Sequence, residues 1–522
     1  MKHLENAFSY EKNGWKYISI RGSPRERGYA YGYVCAPDFI KIQKMLSFFM
    51  YETHGKTWEN LIDEINHDFY DMTKDDFHEM FEEMSGIADG LNANGCKTSV
   101  KEIIAWNFYM SIPYWLGNSS QNLNGKEGGK GRGSKDKCSA FIAVGKDWTK
   151  DGGIVVAHNS FTDFIDGQYL YVVLDIQPDK GHRIIMQTSP CWIWSGTDFF
   201  VTSKGIIGTE TTIGGFLPYE KKIPVAYRIR KAMQYGNSLD DYVDILLKGN
   251  SGDYANSWLF GDINTNEVLR IELGLNYHNV ERTKNGYFIG FNATYDPRIR
   301  NLECVNQGFF DIRRHQGARY VRLSDLMDEH KGKLNIQVAQ KIIADHYDVY
   351  LKKVNKSSRT VCSHYELDPR EYMSAPGRPV PFAPHGAVDG FVCDSAMAKR
   401  MAICGRFGSS CGTPFIKETF IREHRQYEMF APYLFDRPSR PWTTFEETGY
   451  KYNKDHKYNK DHKHNNDHKY NKDHKHNVPN KRLLQINTNK KINTNKKINT
   501  NKKVNKKVNR KKTQKIMHKI MQ

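Results

Sequence analysis

The chain has 522 residues, of which 39% are hydrophobic and 13% aromatic, enough to bury a large core. Its formal net charge of +18 is concentrated at one end: 23 of the 77 Lys and Arg but only 4 of the 59 acidic residues follow Glu447, leaving 54 basic and 55 acidic side chains before it. A near-neutral body excludes reading the whole chain as a nucleic-acid binder from its charge, and no apolar run approaches the roughly 18 residues a membrane-spanning helix requires.

In chain order, the first residues, MKHLENAFSYEKNGWKY, carry charges at Lys2, Glu5, Glu11 and Lys12 and no apolar stretch. No secretory signal is therefore expected, and the default location is intracellular. Residues 1–117 carry helical signals, as in TWENLIDEINHDFYDM and DDFHEMFEEMSGIADGLNANG, where apolar residues recur three and four apart and the runs end at Gly. Residues 118–137 (NSSQNLNGKEGGKGRGSKDK) read as an exposed linker.

From Cys138 the texture is β. CSAFIAV, GGIVVAHNSF, QYLYVVLDI, HRIIMQ, DFFVTSKGIIGTETTI, NSWLFGDI and EVLRIELG are short β-branched or aromatic runs bounded by Gly, Asp and Asn. Their close spacing predicts antiparallel pairing. Helices are predicted at Ala226–Tyr235, Leu239–Leu247 and Val338–Lys352, a Pro-rich loop at Pro369–Pro384, and the end of the folded core, residues 138–447, just after RPWTTFEE. Residues 448–522 hold two hexamer arrays, KYNKDH starting at Lys451 and INTNKK starting at Ile486. Repeats this poor in apolar residues cannot offset the entropy of ordering, so a disordered tail is predicted, with at most weak contact to polyanions or a membrane surface and no specific nucleic-acid recognition.

The nine cysteines form no CxxC pair and no spacing that suggests zinc, so neither a metal site nor a cofactor is expected. Residues Gly22 to Gly32 lack the order and context of a dinucleotide loop. Cys138 stands out because it lies where the Gly- and Lys-rich linker meets the first strand. Cleavage of the Lys137–Cys138 bond would give it a free α-amine with a reference pKa of about 7.7–8.0, able to accept the proton of the neighbouring thiol.

ISIRGSPRERGYAYG resembles the opening of the penicillin acyltransferase-like C45 family of cysteine N-terminal-nucleophile (Ntn) hydrolases. CSAFIAV with GGIVVAHNSF, SGTDFFVTSKGIIGTETTIGGF, NSGDYANSWLFGD and GAVDGFVCDS look like the phospholipase B-like (lamina ancestor-like) branch of that superfamily. The resemblance implies an α+β fold, the Ntn αββα sandwich of antiparallel sheets, assembled from a self-processed precursor with Cys138 as nucleophile. It implies that Asn256 donates to the oxyanion. Where many members carry an Asp near the nucleophile's amine this chain has His158 and Asn159, so Asn159 or Thr162 would take that part. Arg228 matches a family arginine, and Arg228, His158 and Thr162 are the candidate substrate contacts. Glu210 is expected to be a buried structural acid paired with an arginine, and His364 and His385 to be structural. The implied substrate is an acyl lipid or acyl amide. Family members are often secreted or lysosomal. The rivals are an acyltransferase, in which an amine replaces water, and a catalytically silent scaffold that docks through its basic tail.

Overall fold

The computed structural model describes residues 4–121, 138–196, 199–305, 308–369 and 380–446. The predicted linker from residue 122 onward, most of the Pro-rich loop and the repeat tail lie outside the described residues. The chain divides into two units, Met1–Lys451 and Tyr452–Gln522.

The first unit opens on a hairpin where the sequence predicts helix. β1 (Ala7–Lys12) and β2 (Trp15–Gly22) pair antiparallel around Asn13 and Gly14, both at positive φ (51° and 86°), the turn chemistry of a type I′ hairpin. Trp15 and Tyr17 point to one core and Ile18 and Ile20 to the other, a period of two that decides against helix. α1 (Pro24–His54) follows, started by a Ser23–Glu26 capping box and stopped by Gly55 at φ 67°. α2 (Trp58–Asp76), α3 (His78–Ala93), α4 (Val100–Asn107) and α5 (Ile112–Gln121) complete the helical part. α5 continues four residues into the segment predicted as linker. The glycines of RGYAYG and SGIADG let α1 and α3 touch backbone to backbone: a Cβ on Gly28 would lie 2.0 Å, and one on Gly86 2.3 Å, from the facing carbonyl oxygen.

The described chain resumes at Cys138 with the β-rich part. It comprises β3 (Cys138–Val144), β4 (Val155–Asp163), a turn of helix α6 (Phe164–Gly167), β5 (Val172–Pro178), β6 (Ile184–Thr188), β7 (Phe199–Thr202) and β8 (Ile206–Thr212). Then come α7 (Val225–Tyr235), α8 (Leu239–Leu247), β9 (Asn256–Asp262), β10 (Glu267–Leu273), β11 (His278–Thr283) and β12 (Gly286–Gly290). The last third holds α9 (His315–Glu329), α10 (Ile336–Ile342), β13 (Tyr347–Asp348), β14 (Lys353–Val354), β15 (His385–Ala387) and β16 (Asp389–Asp394). It closes with α11 (Ser395–Lys399), β17 (Ile403–Phe407), α12 (Lys417–Glu423) and β18 (Thr443–Phe445).

These strands build two large sheets. One runs β1-β2-β5-β6-β7-β8-β9-β10-β11, the other β12-β3-β4-β16-β17-β18 with β15 also on β4. Pairing is antiparallel, as predicted, except between β2 and β5. The sheets face each other. In β5, Val172, Leu174 and Ile176 join the core shared with α1–α5, whereas Val173 joins the core that holds Ile142, Ile154 and Phe391 of the second sheet; the rings of Trp15 and Phe391 meet across the gap at 5.0 Å. α9 and α10 pack on the second sheet. The helix predicted to run to Lys352 stops at Ile342 because tertiary partners outbid local periodicity: Asp345 forks onto Arg322 (2.9 and 2.7 Å) and the buried Asp348 binds Arg359 (2.7 Å).

Candidate active site

β3 begins at Cys138, which is 2% exposed. Its main chain is gripped from both sides. The Cys138 N–H donates to Asn292 Oδ1 (3.3 Å), and its carbonyl accepts from Arg319 Nη1 (2.6 Å). Arg319, on α9 and fully buried, also donates to Ser139 Oγ (3.2 Å) and to the same Asn292 Oδ1 (2.9 Å). Asn292 follows β12 at φ +61°, a region Asn tolerates better than most residues, and its Nδ2 donates to Thr212 O (2.7 Å). Two side chains far apart in sequence thus hold the peptide units on either side of the Cys138 Cα.

The thiol points the other way. Cys138 Sγ lies 3.7 Å from Glu210 Oε1, which also accepts from the Tyr254 hydroxyl (2.9 Å). Above them is a small pocket lined by Cys138, Ser160 and Thr162 on one side and by Trp106, Tyr109, Met110, Leu170 and Trp192 on the other. The aromatic wall is built by cross-links between α4 and the loop after β6: Trp106 Nε1 donates to Pro190 O (2.9 Å), Trp192 Nε1 to Trp106 O (2.9 Å), and Asn107 Oδ1 accepts from the Ile193 N–H (2.8 Å). At the rim Asp166 accepts from Tyr109 (3.0 Å) and Thr162 (3.4 Å). A largely apolar lining with a thiol among it suits the approach of an acyl group and its carbonyl.

The residues singled out from sequence divide by strand register. Cys138 pairs with Ser160, so Ser160 and Thr162 share its face and Thr162 reaches the pocket. His158, two residues behind, pairs with Ala140 and is fully buried; burial drives its pKa down to about 3, so it is a neutral imidazole. Asn159 faces the opposite side. It accepts from the Ser139 N–H (3.2 Å) and donates to Ile343 O (2.9 Å), Val361 O (3.1 Å) and Ser410 Oγ (3.3 Å), a brace behind the start of β3. Asn256 opens β9 opposite Thr212; it is fully buried and neither amide atom has a hydrogen-bond partner among the described residues. Arg228 lies elsewhere: its guanidinium binds Asp253 (3.0 Å), Leu246 O (2.7 Å) and Ile223 O (3.1 Å), and it is not among the pocket-lining residues. Its donors tie the loop before α7 and the end of α8 to the turn before β9. Glu210, expected beside an arginine, sits against the thiol and Tyr254. His385 bonds Asp163 (3.0 Å) and His364 bonds Glu366 (2.6 Å). Asn292 and Arg319 are not legible in the sequence, because only the fold brings them to Cys138.

Fold and site define a two-sheet α+β protein with a buried cysteine at a strand start beneath a small, largely apolar pocket. The phospholipase B family model matches residues 33–273, a span containing Cys138, Glu210 and Asn256 and ending before Asn292 and Arg319. The chain is similar to the putative phospholipase B-like 2 proteins of Mus musculus (28% identity over 144 residues, 24% of this chain and 23% of that protein) and Rattus norvegicus (28% over 142 residues, 24% of each). The alignments thus span about a quarter of those relatives' length.

Proposed function

We propose that the protein is a phospholipase B-like hydrolase of acyl esters or acyl amides that works through a thioester on Cys138, after its own chain has been cut before that residue in the manner of an Ntn hydrolase. The observation that carries the reading is the placement of Cys138: first residue of its strand, directly after the linker, Sγ on the pocket floor, with amide nitrogen and carbonyl each held by a side chain. The family match supports the chemistry at the level of acyl hydrolysis, and the two facing sheets with helices outside suit the Ntn sandwich.

In the uncut chain the Cys138 nitrogen is an amide and cannot accept a proton. Glu210, 3.7 Å from Sγ, is the group placed to take it while the thiolate attacks the Lys137 carbonyl. The C–N bond breaks, the nitrogen gains a proton to become the α-amine, and water splits the resulting ester of the thiol, leaving a carboxylate on Lys137 and a free thiol. In the mature site the α-amine, still bonded to Asn292, takes the thiol proton. The thiolate attacks the substrate carbonyl, Asn256 contributes an amide N–H to the oxyanion, the leaving alcohol or amine departs with the proton from the ammonium, and water frees the acid. The unpartnered amide of Asn256 motivates that assignment: a buried donor without a partner costs roughly 1–3 kcal/mol, a cost a transition-state contact would offset.

The test is to incubate processed protein with a diacyl glycerophospholipid or an N-acyl amide, quench in acid and weigh the peptide that begins at Cys138. An acyl adduct released by hydroxylamine is expected. An added amine acceptor that captures the acyl group would favour acyl transfer. Acyl release with no adduct at Cys138, or no release from any acyl ester or amide, sinks the reading, the latter in favour of a silent scaffold. Glu210→Gln should slow chain cleavage while a pre-cleaved chain keeps turning over.

A further inference from the structure

Away from the pocket, His346, Cys362, His364 and Cys411 each offer one ligand atom, and the four atoms lie within 4.8 Å of one another. They come from three separate segments: the turn after α10, the stretch between β14 and β15, and the loop after β17. We propose that these four residues bind one zinc ion in a closed tetrahedral site. This inference stands independently of the acyl chemistry proposed for Cys138.

Two of the ligand spacings already match. With Zn–S of about 2.3 Å and Zn–N of about 2.0–2.1 Å, the tetrahedral angle separates a sulfur from a nitrogen by about 3.5 Å; His364 Nε2 lies 3.5 Å from Cys362 Sγ and 3.4 Å from Cys411 Sγ. The surroundings supply what metal-binding histidines and thiolates require. Glu366 binds His364 Nδ1 at 2.6 Å, which fixes the proton there and leaves the Nε2 lone pair for a cation, the carboxylate–histidine–metal arrangement. Thr360 Oγ1 engages His346 Nδ1 at 3.2 Å, and His346 Nε2 is buried without a hydrogen bond. The Thr413 N–H donates to Cys411 Sγ (3.4 Å), as backbone amides do to metal thiolates. Two soft thiols with two imidazoles favour zinc over magnesium or calcium. Four protein ligands leave no open position, so the role is structural. His346 and Cys411 are half-buried and give the ion a way in; Cys362 and His364 are at most 1% exposed.

The position explains what the ion would hold. Val361 and Ser410, each one residue from a ligand, bond Asn159 Nδ2, and Asn159 Oδ1 holds the Ser139 N–H beside the nucleophile. The metal would lock the segments that brace the start of β3.

The experiment uses the full chain, purified with a thiol reductant and without chelator, incubated with excess zinc, desalted and assayed for metal by mass spectrometry. Wild type should retain one more zinc per chain than Cys411→Ala and His346→Ala. Histidines of the repeat tail could hold zinc weakly, but no cysteine follows Cys411. Cobalt replacement is therefore decisive: the site should give thiolate-to-cobalt charge transfer and intense tetrahedral visible bands, which the tail cannot produce and which each variant should weaken. The cobalt spectrum is read on wild type, so it serves even where a variant does not fold. Reduced, folded wild type without the extra zinc and without the thiolate bands overturns the proposal. So does a Cys362–Cys411 disulfide in protein purified with zinc present.

Discussion

Arg319 offers a quantitative test of the nucleophile proposed at Cys138 after cleavage. Its Nη2 and the Cys138 nitrogen share one acceptor, Asn292 Oδ1, at 2.9 and 3.3 Å, so the guanidinium and the nitrogen that becomes the α-amine are no more than about 6 Å apart. At an effective dielectric constant of about 20, two positive charges at that distance repel by about 2.8 kcal/mol, which depresses the ammonium pKa by about 2 units. Arg319→Met should therefore move the acidic limb of the kcat/KM pH profile up by about 2 units, with the alkaline plateau less affected. Arg319→Lys keeps the charge and should restore most of the shift, though it loses the planar fork that spans Cys138 O and Asn292. The assay is a pH series of initial rates on protein shown by mass to begin at Cys138, with a thermal melt alongside, since the Met variant removes the side-chain donor to His315 O, Cys138 O, Ser139 Oγ and Asn292 Oδ1 at about 1–3 kcal/mol each. An unmoved acidic limb in folded, processed Arg319→Met would refute the electrostatic reasoning.

Three further outcomes are expected from the same geometry. Asn256→Ala should lose about 100- to 1000-fold in kcat with KM little changed, as expected for a donor that acts on the oxyanion; processed variant with wild-type turnover removes it from the site. His158 has a folded pKa of about 3 against 6.5 unfolded, so the unfolded chain binds the extra proton below pH 6.5 and stability falls with pH. The loss is about 2 kcal/mol between pH 7 and pH 5, and His158→Gln should show a correspondingly shallower drop in urea titrations at the two pH values, an unchanged slope counting against a buried neutral imidazole. Finally, a chain ending at Glu447 should keep its fold and acyl release while losing salt-sensitive binding to heparin, because the excess positive charge lies beyond that residue; binding that survives truncation places the charge elsewhere.

How much is legible in the sequence depends on the range of the interactions involved. The strands from Cys138 to Leu273 are legible because each carries its own apolar alternation and turn residues, and Cys138 itself because composition changes abruptly there. The β1–β2 hairpin is hidden under the helical signal of its neighbours, although Asn13–Gly14 carries its turn. Asn292 and Arg319 lie 154 and 181 residues from Cys138, a separation no spacing rule spans. Asn159 departs from its expected place for a simpler reason: strand alternation sends it away from the face that Cys138 and Ser160 share, and only the register settles which face a residue takes. The His346, Cys362, His364 and Cys411 cluster has no motif to betray it, since its members are gathered from separate segments.

The central claim is that Cys138 becomes an N-terminal residue by its own chemistry. Intact mass and N-terminal sequencing of purified wild type and Cys138→Ala decide it. Wild type should contain a chain beginning at Cys138, the cut separating residues 1–137 from 138–522, and Cys138→Ala should remain a single full-length chain. A Cys138→Ala protein cut before residue 138, or an uncut wild type that nonetheless releases acyl groups, would contradict the claim.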